Sequence, residues 1–140
     1  MSLPVCLVIR LMRFKMDPVT FAPSKNETRI DFEVDDLDLR PFVAQHLQNV
    51  PETVYELYAV VMHEGMLHTG HYYTYAKTSH DSKPKVGWRE LNDQRVSPFD
   101  PKRLKDEDRQ TGAYMLFYRR KDVDTLDSIQ ESLDLLDPNN

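Results

Sequence analysis

The feature that most constrains this fold is a pair of Tyr-, Val- and Thr-rich runs, residues 54–62 and 71–77, separated by a glycine-bounded segment. β-Branched and aromatic residues favour strands. The segment between them, Glu64-Gly65-Met66-Leu67-His68-Thr69-Gly70, reads as a turn. Together they predict a long antiparallel hairpin.

The rest of the chain supplies further strands. Residues 5–14 are mostly apolar and read as a buried strand opened by Pro4, with a loop over the proline-bearing residues 15–27. Residues 28–34 alternate, Ile30, Phe32 and Val34 against Asp31, Glu33 and Asp35, which predicts a strand with one wet face. Residues 37–49 are ambiguous; Pro41 is placed to open a short helix carrying Phe42, Val43 and Leu47. Residues 78–84 are polar, end in Pro84 and read as a loop. Residues 88–96 predict a strand with a tight turn at Asn92-Asp93, and Pro98 and Pro101 then open a charged stretch holding one short helix. Residues 113–119 alternate as a strand should. Val123, Leu126, Ile129, Leu133 and Leu136 recur at helical spacing until Pro138, predicting a C-terminal amphipathic helix and tail over residues 121–140. The pattern is α+β, mainly antiparallel sheet.

Composition narrows the function classes. A length of 140 residues suits one compact domain with a real core. The formal net charge of -5 argues against a nucleic-acid partner, which selects a basic surface. Apolar runs fall short of a membrane span, and Met1-Ser2-Leu3 lacks the layout of a signal peptide. With one cysteine, Cys6, no internal disulfide forms, which suits a reducing compartment. The expectation is an intracellular protein, cytoplasmic or nuclear.

Reactive side chains are densest at the hairpin tip, where His63, His68 and His71 surround Gly65 and Gly70. Asn92 and Asp93 follow in a second turn. Three readings stay open on the residues themselves. One histidine is a general base, oriented by Asn92 or Asp93, because imidazole titrates near neutral pH and deprotonates a thiol. Alternatively the three imidazoles hold a metal such as zinc, although the spacing is not that of a known zinc motif. In the third reading they are ordinary loop histidines.

The neighbouring residues add a resemblance. In order along the chain stand an apolar run ending in Arg13-Phe14, the step Leu37-Asp38-Leu39, His63-Glu64-Gly65 and Gly70-His71-Tyr72. Trp88-x-x-Leu91-Asn92-Asp93 and a closing Tyr114-Met115-Leu116-Phe117-Tyr118 complete the series. It resembles the C-terminal half of the ubiquitin-specific protease catalytic domain, the region containing its His box, over about residues 1–120. The resemblance implies a partial papain-like cysteine protease fold, the palm of a fingers-palm-thumb domain. It implies a thiol-dependent hydrolase cutting isopeptide or peptide bonds after the C-terminal Gly-Gly of ubiquitin. His71 matches the general base and Asn92 the group that orients it, with Asp93 adjoining. His63 and Gly65 match a His-x-Gly turn beside the site, where substrate backbone passes. Read as residues, Gly70 is expected to let another backbone come close to the hairpin, and Tyr72 to help shape a narrow channel for Gly-Gly. No cofactor is implied. Tyr73 and Trp88 are expected to pack the sheet rather than line a channel.

The family's nucleophile box has no counterpart here, nor have its paired-cysteine zinc fingers. Cys6, set in an apolar run, is expected to be a buried small hydrophobe. The nucleophile is therefore expected in a missing N-terminal half, and this chain is expected to be silent alone. Palm surface left uncovered is expected to promote a homo-oligomer. The acidic alternation at Asp31, Glu33, Asp35 and Asp36 is a candidate lining for the arginine-bearing tail of ubiquitin, against the equal reading of a solvated face. The alternative function is a non-catalytic ubiquitin-binding or scaffold module.

Overall fold

The computed structural model describes residues 3–44, 52–67, 69–80 and 83–122. Among the described residues, nine strands form a large antiparallel sheet and a small ribbon. They are β1 (Cys6–Arg10), β2 (Phe14–Met16), β3 (Pro23–Lys25), β4 (Leu37–Asp38), β5 (Val54–Glu64), β6 (His71–His80), β7 (Lys83–Asn92), β8 (Arg95–Pro98) and β9 (Ala113–Arg120). The large sheet runs β1-β9-β5-β6-β7-β8, with β4 also pairing β5, while β2 and β3 pair alone. A 3-10 helix, Pro101–Lys105, and a six-residue helix α1, Glu107–Gly112, lead into β9.

The predicted hairpin is the spine of the molecule. On β5 the buried face is carried first by Tyr55 and Leu57, then by Val60 and Met62. The switch from odd to even positions coincides with an irregular step against β9 between Leu57 and Ala59. An extra residue there restores the apolar face to the core, which a strict period of two would lose. Tyr73, Tyr75 and Trp88 continue the core across β6 and β7, and Leu104, Ala113, Leu116, Tyr118 and Phe32 close it. Tyr73 and Trp88 are thus packing residues, at 8% and 9% exposure.

Several expectations fail for identifiable reasons. Residues 28–34 are not a strand. The alternation is real, since Phe32 is buried while Asp31 and Glu33 are exposed. Their backbone, however, bonds to scattered partners: Ile30 N–H to the Gln110 carbonyl, Val34 carbonyl to Leu57 N–H, and Glu33 carbonyl to the Tyr118 hydroxyl. Extended chain without a ladder partner is what alternation alone cannot distinguish from a strand. The strand expected over residues 5–14 stops at Arg10, and it lies at the sheet edge. Cys6 is exposed there, not buried. The loop at 15–27 contains the β2–β3 ribbon, and the loop at 78–84 is mostly strand, with His80 paired to Lys83. Around Pro41 there is one 3-10 turn, Arg40–Phe42, whose Phe42 is exposed; Leu47 lies outside the described residues. The C-terminal helix expected beyond residue 122 also lies outside them.

Arg13 ties the ribbon to the sheet. Its buried guanidinium donates to the carbonyls of Asn26, Thr28, Gln110 and Ala113. Burial pulls its pKa below the usual arginine value. A buried cation held only by carbonyls is costly to leave unpaired, so these contacts lock residues 26–28 against the end of α1. No helix among the described residues is long and apolar enough to cross a membrane.

Candidate active site

Two adjacent turns build the site. His71 opens β6 and Asn92 closes β7. Asn92 pairs with Arg95 across Asp93 and Gln94, a two-residue hairpin loop. Asp93 has φ of 51°, the left-handed conformation that such turns require and that Asp tolerates. The turn delivers Asn92 to the imidazole: His71 Nε2 lies 2.7 Å from Asn92 Oδ1. A carboxamide oxygen only accepts, so Nε2 carries the proton and donates. In the neutral ring Nδ1 is then the free base. Asp93 is exposed, and among the described residues its carboxylate accepts no hydrogen bond. It makes the turn and does not touch His71.

The other predicted residues divide between the two faces of the hairpin tip. Register pairs Glu64 with His71 and His63 with Tyr72. Successive strand residues point to opposite faces, so the two histidines do not converge. That geometry separates two imidazoles of the alternative metal reading; His68 lies outside the described residues. His63 is only 1% exposed, so its ring does not line an open substrate path as expected. It is boxed by Phe14 at 4.9 Å, edge-on, and by Tyr72 at 4.6 Å, with Tyr114 beyond. Both its ring nitrogens lack a hydrogen-bond partner. Burial, with the nearby Lys25 charge, lowers its pKa from the ordinary value of 6.5. Lys25 Nζ also donates to the His63 carbonyl at 2.9 Å.

The glycines serve this packing. Gly65 has φ of +83°, and a side chain there would press on Thr69 and Gly70. A Cβ on Gly70 would overlap His63 Nε2 and Cε1 and sit 2.8 Å from the Met66 carbonyl. What comes close to Gly70 is therefore the His63 ring of the same hairpin. Tyr72 is half exposed and remains open on its outer side. On the His71 face, Tyr73 stacks near-parallel to the imidazole, with centroids 6.2 Å apart and planes at 20°. Its hydroxyl donates to Glu64 Oε1 at 2.7 Å. Neither Tyr73 nor Glu64 was expected to adjoin the base, although their period-two spacing to His71, along β6 and across the register, placed them on its face.

Within the acidic alternation, Asp31 is engaged internally. Asp31 accepts from Lys105 Nζ at 2.9 Å and Gln110 Nε2 at 3.0 Å. The Lys105 bond and charge hold its carboxyl below the usual range. It is therefore less available to a substrate tail than the sequence suggested.

Comparison with known proteins fits this geometry. The sequence matches the ubiquitin carboxyl-terminal hydrolase family over residues 1–118. It is 40% identical over 119 residues to ubiquitin carboxyl-terminal hydrolase 10 of Arabidopsis thaliana, covering 85% of this chain and 12% of that protein. It is 37% identical over 115 residues to ubiquitin carboxyl-terminal hydrolase 2 of Gallus gallus, covering 82% and 29%. Among solved structures, the SAGA Ubp8/Sgf11/Sus1/Sgf73 DUB module aligns at a TM-score of 0.68 and 29% identity, over 87% of this chain and 25% of that one. A SAGA DUB module bound to monoubiquitin aligns at 0.67 and 27%, over 87% and 24%. The chain thus spans between 12% and 29% of the length of these curated relatives. With its antiparallel sheet forming the palm portion of a papain-like fold, the chain belongs to the ubiquitin carboxyl-terminal hydrolase family.

Proposed function

We propose that this chain is the base-bearing part of a thiol-dependent deubiquitinase. The observation that carries the reading is the 2.7 Å contact between His71 Nε2 and Asn92 Oδ1, which leaves Nδ1 free to serve a thiol. In the reaction, a cysteine thiolate adds to the carbonyl of ubiquitin's C-terminal glycine, and as the C–N bond breaks to leave a thioester the His71 imidazolium gives its proton to the leaving amine. His71 then takes a proton from water as the thioester is hydrolysed. Asn92 holds the ring through both steps, since its oxygen accepts from Nε2–H in the neutral and charged forms alike. Tyr72, with its open outer side, is the residue here best placed to contact substrate near the base.

The nucleophile is not Cys6, the one cysteine of the sequence. Cys6 pairs with Arg119, which pairs with Glu56, whereas His71 pairs with Glu64 on the same strand. Eight strand residues separate those rows, about 26 Å at the usual rise per residue. We therefore place the thiol in sequence outside this chain and regard the chain by itself as inactive. Its partners are ubiquitin and ubiquitinated proteins in an intracellular compartment, cytoplasmic or nuclear. Val5, Val8 and Met12, exposed along the free edge of β1, favour self-association of the isolated chain.

Two measurements test this. The full-length protein is expected to cleave ubiquitin bearing a fluorogenic C-terminal amide, and its His71→Ala variant to lose turnover; retained turnover in the variant refutes the assignment. The chain alone is expected not to react with ubiquitin carrying a C-terminal electrophile. Labelling at Cys6 refutes the placement of the thiol.

A further inference from the structure

A single hydrogen bond does not fix an imidazole. The contact from Nε2 to Asn92 pins one atom of the His71 ring, and the ring plane remains free to rotate about that point. His71 is exposed, so packing does not supply the missing restraint. A second contact on the same face does. Tyr73, two residues along β6, lays its ring nearly parallel to the imidazole at 20° and 6.2 Å. That separation is within the range of offset stacking.

Tyr73 is itself held from two sides. Its hydroxyl donates to Glu64 Oε1 at 2.7 Å, and its ring meets Tyr75 edge-on at 5.6 Å. Tyr75 in turn stacks on Phe99 at 3.9 Å, so the column is rooted in the core. Glu64 is the cross-strand partner of His71, which places the carboxylate beside the base as well as on the tyrosine.

We propose that Tyr73, oriented by Glu64, is a positioning residue for His71, setting the plane of its ring so that Nδ1 faces the incoming thiol. The inference rests on His71 being the base. Asn92 fixes where the ring is; Tyr73 fixes which way it is turned. Misalignment of a proton-transfer group by a fraction of its hydrogen-bond cone slows chemistry while leaving ubiquitin affinity alone.

The test uses the full-length protein and ubiquitin bearing a fluorogenic C-terminal amide. Tyr73→Leu, which removes the plate, is expected to lower kcat about tenfold with KM within about twofold of the parent. Tyr73→Phe removes the donor and Glu64→Met, of similar length, removes the acceptor of the hydroxyl–carboxylate bond, and each is expected to lower kcat about threefold. Because both remove the same bond, the double variant is expected to lose no more than either single one. A ring-current displacement of the His71 ring protons, read by NMR in the same variants, is expected to vanish in Tyr73→Leu and persist in Tyr73→Phe. If Tyr73→Leu fails to fold, Tyr73→Phe and Glu64→Met decide the matter. Unchanged kcat in both of them, a loss confined to KM, or additive losses in the double variant overturn the inference. His71→Ala separates the two levels: turnover surviving in that variant removes the base itself, whereas an inactive His71→Ala beside fully active Tyr73→Phe and Glu64→Met removes only the positioning role.

Discussion

The two faces of the hairpin tip carry one histidine each, and they are put to opposite use. His71 is exposed, bonded to Asn92 and stacked on Tyr73. His63 is buried, with no partner for either ring nitrogen, in a box of Phe14, Tyr72 and Tyr114. The same side chain is open to solvent and bonded to a carboxamide on one face, where we propose it transfers protons, and is a flat packing element on the other. Burial, with the nearby Lys25 charge, opposes the charged form of the His63 ring. Yet the buried ring serves the exposed one, because it backs Gly70 and Tyr72, the two neighbours of His71.

The largest effect that sharpens this contrast is on His71 itself. In the full-length protein, His71→Ala is expected to cost about 10³- to 10⁴-fold in kcat, the loss of a general base and acid together. Next comes Asn92. Asn92→Ala is expected to lower kcat about 10²-fold by freeing the ring, whereas Asn92→Asp, which still accepts from Nε2–H, is expected to stay within about threefold. Steady-state kinetics on matched protein preparations check both.

The third effect lies on the other face. Gly70→Ala places a methyl group on the His63 ring and is expected to destabilise the chain by about 1–3 kcal/mol, read by denaturant unfolding. Combining it with His63→Ala opens the space again, so the double variant is expected to be less destabilised than the two losses added together. Simple addition breaks the claim that the ring supports the turn. The smallest effect is on pH. His63 has its pKa lowered in the fold, so the unfolded chain takes up the proton first. Stability from this group is complete above the unfolded value of 6.5 and falls as pH drops below it, by at most about 1.4 kcal/mol per pH unit. Melting curves between pH 7 and 5 are expected to show the decline, and His63→Ala to remove its part of it. Carboxylates such as Asp31, whose pKa is also lowered, lose their contribution only below about 3.8.

The hairpin was legible because two strand-forming runs flank a glycine-bounded turn, and both strands are longer than the runs suggested. The pairing of His71 with Asn92 was legible only through the resemblance. Spacing by itself equally allowed Asp93, which the structure turns outward at a positive φ. The fate of His63 was not legible. Its burial depends on Phe14 from the ribbon and Tyr114 from β9, residues about 50 positions away on either side. Residues 28–34 misled for a related reason: Phe32 does face inward, but among the described residues their backbone joins no ladder. Cys6 misled because an apolar run at a sheet edge reads like one at its centre.

Local sequence determined the strands, the two tight turns and the alternation of faces, because backbone preference and side-chain period act over a few residues. Tertiary structure decided which histidine is buried and which is free, which strand is an edge, and which side chains stand around the base. Those outcomes depend on which distant residues arrive to exclude water, and exclusion of water is a property of the assembled sheet rather than of any segment in it.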